Sequence, residues 1–542
     1  MEYFLKYPKF NVLKNHIMKD SLSDWFEINH NKYTKDENKG YKNYIIKESK
    51  NYKLSVLKKI LELSGLEIPL QPTFNQTKEL LYNDSQLILQ GILLNKNDIF
   101  VDCDLIITYK LFKKLFPKIN NLPFHLYCKN DNDYLLIDIC YSTLHFKIDL
   151  KDVQNEGIIF YKKCKLFSFR EVFYELSGQH CECFMLGKEY FYKNTLLPKK
   201  EFIAKIEYNE KIQKALLDSI NWIRYLKNNH HKLTIIPTPN HINLYPNMNY
   251  NYSDWENEKV KLANQIKEIT LVWNISYEER CDLLKKDIKS WDDPKILSEL
   301  KESKKKDIQE RMIHMNQQED ILIYPRKNVS HNFKEIIKSS DTDIYFDVES
   351  FLSFDEKQSL FTDSMKVKEP IIGILGFIYD KTFYNVTINE FTKNDEERMI
   401  KQFSSYLYKI SKNKMINIYH WGHAENNYFK YIHETYPKIL FPKYRLINVL
   451  DYFRTEPIIV QGIFKFGIKS VGKALYKHGL IKTTWEENDN GLESMIQFKE
   501  SCIKKDKNIP LKRYLEVSEI IEYNHTDCQV LFEIVELLRE KY

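Results

Sequence analysis

The sequence predicts a multidomain α/β protein. Three observations lead there. At 542 residues the chain is longer than one hydrophobic core supports. Short, β-branched apolar runs bounded by Asn and Asp recur along it, as strands require. Helical stretches follow those runs, and in the last third three strands precede alternating helices and strands, the pattern of a layered α/β fold. About 150 residues per domain suggests about three to four units.

Residues 1–235 mix helices with short strands. KLSVLKKILELSG reads as a helix ending on Gly65, and FSFREVFYELSG as a helix stopped by Gly178. QLILQGIL, NDIFVDCDLIITY, DYLLIDICY and LHFKIDL read as strands. Residues 236–335 form a mainly helical connector that opens on the Pro/Asn-rich stretch IIPTPNHINLYPNMN. Helical, highly charged segments follow, WENEKVKLANQIKEITLVW and ILSELKESKKKDIQERMIHMN, in which ESKKKD is a solvated helix face. Residues 336–542 give strands DIYFDVES, PIIGILGFIY and TFYNVTINEF, then the helix NDEERMIKQFSSYLYKI. A further strand, MINIYHW, leads into a helix carrying Glu425, and the last helix has an apolar stripe of Val530, Leu531, Ile534, Val535 and Leu538.

The bulk numbers exclude little. A hydrophobic fraction of 43% allows large cores, and a net charge of +6 leaves nucleic-acid binding to local basic tracks. The nine cysteines are scattered; only Cys181 and Cys183 lie close together, with no second pair to complete a zinc or iron–sulfur site, so reduced buried thiols are expected. No apolar leader or membrane span of about 20 residues is present, which predicts a soluble, intracellular protein.

The chemistry is concentrated in the last third. Asp347 and Glu349 are two apart on a strand and share a face, opposite Ile344, Phe346 and Val348. Tyr523 and Asp527 are four apart on a helix and share a face too. Glu425 lies early in its helix, just past a strand end, where such folds place sites. Gathered carboxylates repel one another and resist burial unless a cation lies among them. Asp347, Glu349, Glu425 and Asp527 can hold two Mg²⁺ or Mn²⁺ ions about 4 Å apart, with Tyr523 orienting the attacking water or holding a scissile phosphate. His525 is expected on a different helix face from Asp527. Asp451 is the alternative fourth ligand, or else a strand-end cap. Lys469, in FGIKS before a helix, is either a phosphate contact or a plain surface lysine.

The pieces YFDVES, YHWGHAENN, FKFGIKSVGKAL, NDNGLESM and YNHTDCQVLFEI, in that order, resemble the DEDDy 3′→5′ exonucleases of the ribonuclease H-like superfamily. In detail they resemble the ribonuclease H-like domain C-terminal to RecB-like nucleases in some bacterial and giant-virus proteins. That resemblance implies the catalytic set Asp347, Glu349, Glu425, Tyr523 and Asp527. Most relatives carry aspartate at the second motif; this chain has Glu425, a longer carboxylate.

The first region resembles the PD-(D/E)XK nuclease fold, with Asp104 in VDCDLIITY and Asp138 in YLLIDICY. LYPNMN, EITLVWNIS and SWDDP resemble the connector of the same RecB-like family. The resemblance implies a degenerate site: Cys140 stands where the family has lysine, and Lys53 lies near the position of an expected glutamate. Lys147 and Lys162 are the candidates to replace the lost lysine.

Taken together, these readings predict metal-dependent phosphodiester hydrolysis, 3′→5′ on single-stranded DNA or DNA ends, in the cytoplasm or at a nucleoid or viral factory. Some of the 37 Tyr and 32 Phe would stack on bases, most forming core. The rivals are a catalytically inactive nucleic-acid-binding scaffold subunit, and an RNA exonuclease.

Overall fold

Strand periodicity and helix caps lay out a mixed α/β chain with several sheets. A computed structural model describes residues 8–36, 40–117, 128, 130–193, 195–198, 202–318, 321–325, 327–351, 371–486, 496–498, 500–502, 509 and 511–542. The chain divides into two compact units, whose described residues lie within 8–266 and 267–542. The stretch expected as a connector is shared between them.

In the first unit, strands β1 (Leu87–Leu94), β2 (Phe100–Thr108) and β3 (Tyr134–Ile139) pair antiparallel in sequence order. Strand β4 (Thr143–His145) pairs with β6 (Glu189–Tyr192), which pairs with β7 (Thr195–Leu197), in a small separate sheet. Strand β5 (Glu182–Leu186) joins β3 in parallel, and β8 (Ala204–Ile206) closes that edge antiparallel to β5. The parallel step from β3 to β5 needs a crossover, and helix Ile159–Ser177 supplies it, packing on β2 and β3. Helix Gly40–Ser64 packs Tyr52, Val56, Leu57 and Ile60 against Leu105, Ile107, Leu135 and Ile137. Both helices stop where expected, at Gly65 and Gly178, each with the positive φ that glycine accepts without strain.

Three expected elements differ. LHFKIDL gives only the short β4, because the chain turns at Lys147–Leu150, with Leu150 at φ 58. The helix expected through WENEKVKLANQIKEITLVW ends at Gln265, and Lys267 has φ 54. The charged stretch after it breaks into Ile296–Glu299 and Lys306–Gln317.

The first strand of the second unit is β9 (Ile323–Tyr324), which pairs with a short strand distant in sequence. Its main sheet comprises β10 (Asp343–Phe351), β11 (Ile371–Tyr379), β12 (Thr382–Thr387), β13 (Ile416–His420) and β14 (Tyr444–Asn448), in the order β12-β11-β10-β13-β14. The first three run antiparallel, while β13 and β14 are parallel to β10. Strand β15 (Ile459–Val460) is the partner of β9. Helices cover both sides of the sheet. Ile344 and Phe346 of β10 pack with Met399, Phe403 and Phe429 from helices Lys393–Ser411 and Ala424–Thr435. Tyr345, on the alternate face, packs with Ile534 and Leu538 of the C-terminal helix Leu515–Lys541. A bulge between Glu349 and Ser350 breaks the alternation and returns Phe351 to the Phe346 side. Ile269, Trp291, Met312 and Phe333 share a core with the C-terminal helix, so the charged segment from 267 onward is packed through its apolar residues.

The expected stripe of the C-terminal helix is buried, and Asn524 and Asp527 are buried with it. Each buried Ile or Leu there contributes about 1.5–3 kcal/mol. Asn524 and Asp527 instead pay a desolvation cost, so their placement points to a specific local role.

Candidate metal centre

Strand β10 carries Asp347 and Glu349 side by side on the face turned toward the C-terminal helix, and that helix carries Asp527 and Tyr523. Ligand oxygens of Asp347, Glu349 and Asp527 all lie within 4.8 Å of one another. Among the described residues this is the one group of three or more acidic, His or Cys side chains so arranged. At that spacing, and an effective dielectric of about 20, each pair of charges would repel by at least about 3.5 kcal/mol. The titration of the site reflects this. Burial, then the charges of Asp527, Glu349 and Glu425, hold Asp347 well above the usual carboxylate range. Burial and Asp527 push Glu349 up to about 8, against the pull of Lys469. An all-oxygen donor set whose members resist ionising together could hold a hard cation.

Neighbouring groups fix two of the three acids. Asn524 Nδ2 donates to Asp347 Oδ2 at 2.7 Å. Trp485 Nε1, itself buried, donates to Asp527 Oδ1 at 2.6 Å. The Tyr523 phenol hydrogen-bonds Asp527, and burial together with the Asp527, Glu349 and Asp347 charges raises its pKa. Lys469 Nζ lies 4.6 Å from the centre of the Tyr523 ring and 5.9 Å from that of Trp485.

Glu425 sits at the edge of this arrangement. It is buried in the first turn of its helix, and its charge acts on Asp347 and Glu349, but it is not part of the close triad. His420 Nδ1, fully buried at the end of β13, lies 3.3 Å from Glu425 Oε2. That Glu425 oxygen and both ring nitrogens of His420 lack a well-aligned hydrogen bond. Asp451 occupies the first turn of helix Val449–Thr455 and accepts from Asn448 Nδ2 at 2.8 Å. His525 stacks on Phe383 at 4.3 Å. The motif NDNGLESM lies outside the described residues.

Four contributors escaped the sequence reading: Asn524, Trp485, His420 and Gly376. Asn524 could have been found, since it lies three before Asp527 on the buried helix face. Gly376 faces Asp347 across the β10–β11 ladder, and a Cβ there would fall 1.7 Å from Asn524 Oδ1. Only glycine leaves room for the amide that holds Asp347. Trp485 and His420 carried no pattern.

In the first unit, Asp104 and Asp138 are fully buried and enclosed by lysines. Lys53 Nζ is 2.6 Å from Asp104 Oδ1, and Lys162 Nζ is 2.8 Å from Asp138 Oδ2. Lys162 therefore does reach the acids, whereas Lys147 pairs with Asp152 at 2.5 Å. All nine cysteines are free thiols, six of them buried, and Cys181 and Cys183 belong to no metal-type cluster among the described residues. No described helix is long and apolar enough to cross a membrane.

Comparison with protein-family models, with curated proteins and with solved structures finds no match for this chain.

Proposed function

We propose that the C-terminal unit is a metal-dependent phosphodiesterase of ribonuclease H-like architecture, acting 3′→5′ on single-stranded DNA or DNA ends. The observation that carries this is the meeting of Asp347, Glu349 and Asp527 from a strand and a helix far apart in sequence. The strand order β12-β11-β10-β13-β14, with three antiparallel strands followed by two parallel ones, supports the architecture. Polarity and substrate rest on the resemblance of the motifs to DEDDy exonucleases. The first unit, with its β1–β3 meander and helical crossover to β5, is read as the degenerate PD-(D/E)XK-like partner.

Asp347, Glu349 and Asp527 would hold Mg²⁺ or Mn²⁺, with Glu425, whose charge acts on Asp347 and Glu349, a further carboxylate for a second ion. The chemistry such a cation supplies is activation of water and neutralisation of charge on the scissile phosphate. The chain's own groups do the rest. Asn524 and Trp485 keep two ligand oxygens pointed inward before substrate arrives, so little reorganisation is needed. Tyr523 stays protonated because its pKa is raised, so its hydroxyl can donate to a phosphate oxygen or align the incoming water. Lys469, against the Tyr523 ring, adds positive charge where a phosphate would enter.

The test is cleavage of a 5′-labelled single-stranded oligonucleotide with Mg²⁺ or Mn²⁺, by wild type and by Asp347→Ala. A ladder shortening from the 3′ end and lost in the variant is the expected result. Cleavage that survives Asp347→Ala would remove the reaction from this site. Binding without cleavage would favour the scaffold reading, and a parallel RNA substrate decides between DNA and RNA.

A further inference from the structure

A PD-(D/E)XK-like unit implies a metal held by its acids, and the oxygens in the first unit do not fit one. A hard cation there would draw on the Asp104 and Asp138 carboxylates and a nearby main-chain carbonyl. Each of these oxygens is already engaged. Asp104 Oδ1 meets Lys53 Nζ at 2.6 Å, and Asp104 Oδ2 accepts the Ile139 N–H at 2.8 Å. Asp138 Oδ2 accepts from Lys162 Nζ at 2.8 Å, and Asp138 Oδ1 lies 2.9 Å from Lys165 Nζ, an ion pair without an aligned hydrogen bond. Lys162 also donates to the Ile139 carbonyl at 2.9 Å, bridging a carboxylate and a main-chain oxygen as a metal ion would. Lys165 reaches Asp102 as well, at 2.8 Å. Lys53, Lys162 and Lys165 thus set three ammoniums against Asp102, Asp104 and Asp138, of which Asp104 has its pKa raised to about 6 by burial and the Asp138 charge.

We infer that three lysine ammoniums take the place of a divalent cation in the first unit, which therefore binds no metal through Asp104 and Asp138. Two facts make the arrangement self-consistent. Lys162 and Lys165 are three apart on helix Ile159–Ser177, so one helix face delivers both to Asp138. Despite full burial, Lys162, Lys165 and Lys53 together hold Asp138 well below the usual carboxylate range, so it remains a charged partner. The lysine that the family places two residues after the second acid has thus been replaced from the helix. Lys53, near the expected glutamate, adds a cation where a ligand would be.

The inference stands apart from the exonuclease reading, and one experiment separates the two. Mn²⁺ binding to the full chain is counted by electron paramagnetic resonance for wild type and for Asp347→Asn/Asp527→Asn. The expected result is bound Mn²⁺ in wild type and none in the double variant. Absence of Mn²⁺ from wild type would overturn the C-terminal metal reading and leave the lysine assignment upheld. Mn²⁺ retained by the double variant, and lost on adding Asp104→Asn, would overturn the assignment; Mn²⁺ indifferent to Asp104→Asn would uphold it. Adding Lys162→Met to the double variant tests the substitution itself. Freed of the ammonium, the Asp138 and Ile139 oxygens should make Tm rise with added Mn²⁺, which the parent should not show. A folded Lys162→Met protein blind to Mn²⁺ would overturn the claim that ammonium stands in for metal; if it fails to fold, the Mn²⁺ count decides.

Discussion

The side-chain amide of Asn524 reaches Asp347 across 2.7 Å, from the helix that carries Asp527 to the strand that carries Glu349. Its place depends on an empty one: Gly376, opposite Asp347, has no Cβ to meet Asn524 Oδ1. Gly376→Ala must therefore move Asn524, and the expected outcome is loss of Mg²⁺ binding together with a lowered Tm. Asn524→Ala removes the donor without a clash. It should weaken Mg²⁺ affinity by about 10–100-fold, as loss of an outer partner of a metal ligand does. Isothermal titration of both variants checks this, and affinity unchanged in Asn524→Ala would show that Asp347 needs no such support.

Trp485 supports a second acid of the triad. Its indole donates to Asp527, while its ring lies tightly against Gly472. Trp485→Phe loses the donor together with the outer edge of the indole that packs on Gly472. Stability should fall by about 1–3 kcal/mol, the cost of leaving a buried acceptor without its partner. Cleavage should fall by at least about tenfold. Urea unfolding and a single-turnover assay on the same preparation distinguish the two effects.

The raised pKa values set a pH dependence whose sign is definite. Glu349 rises from 4.5 to about 8 on folding. Between those values the folded, metal-free protein holds a proton that the unfolded chain has released. Its contribution to stability is greatest below the unfolded value and is lost as pH rises through about 8. Divalent metal competes with that proton, so its stabilising effect must grow over the same interval. Thermal melting in chelator should show Tm falling from about pH 6 to about pH 8, and excess Mg²⁺ should reduce or abolish the fall. An identical pH profile with and without Mg²⁺ would mean that Glu349 does not meet the ion.

Much of this site was legible because regular structure turns spacing into direction. A period of two sets Asp347 beside Glu349, and a spacing of four sets Tyr523 beside Asp527, on sequence spacing alone. The rest was hidden for physical reasons. Trp485 reaches Asp527 from 42 positions away, through a segment with no periodicity. Strand β14 reads YRLIN, whose Arg and Asn disguise a partner of β13. In the first unit the acids stood out, but pairing Lys53 with Asp104, 51 residues apart, requires the fold itself.

Tyr523 and Lys469 touch, yet they should fail differently. Tyr523→Phe removes a hydroxyl that hydrogen-bonds Asp527, so on the proposed phosphodiesterase reading kcat should fall while KM for the oligonucleotide stays near wild type. Lys469→Ala removes a charge that would meet phosphate, so KM should rise and the salt dependence of binding should lose about one ion's worth of slope. Steady-state kinetics at two salt concentrations read both. A KM effect for Tyr523→Phe and none for Lys469→Ala would reverse the assignment.

The lysine-enclosed acids of the first unit carry a stability cost that can be measured without any substrate. Asp138 is fully buried between Lys162 and Lys165, which are 17% and 8% exposed. Removing Asp138 leaves Lys165 with Asp102 but leaves the mostly buried Lys162 ammonium with only the Ile139 carbonyl, and breaking a buried pair in this way costs about 3–5 kcal/mol. Asp102 pairs with the same Lys165 but is 48% exposed, so water can replace it and its loss should cost below about 1 kcal/mol. Asp138→Ala and Asp102→Ala thus remove partners of one lysine at opposite burial. Hydrogen exchange of the β3 amides in the full chain reports the difference, because those amides open only with the core around them. Comparable exchange in the two variants would mean that the cluster is solvated and that burial does not set its energy.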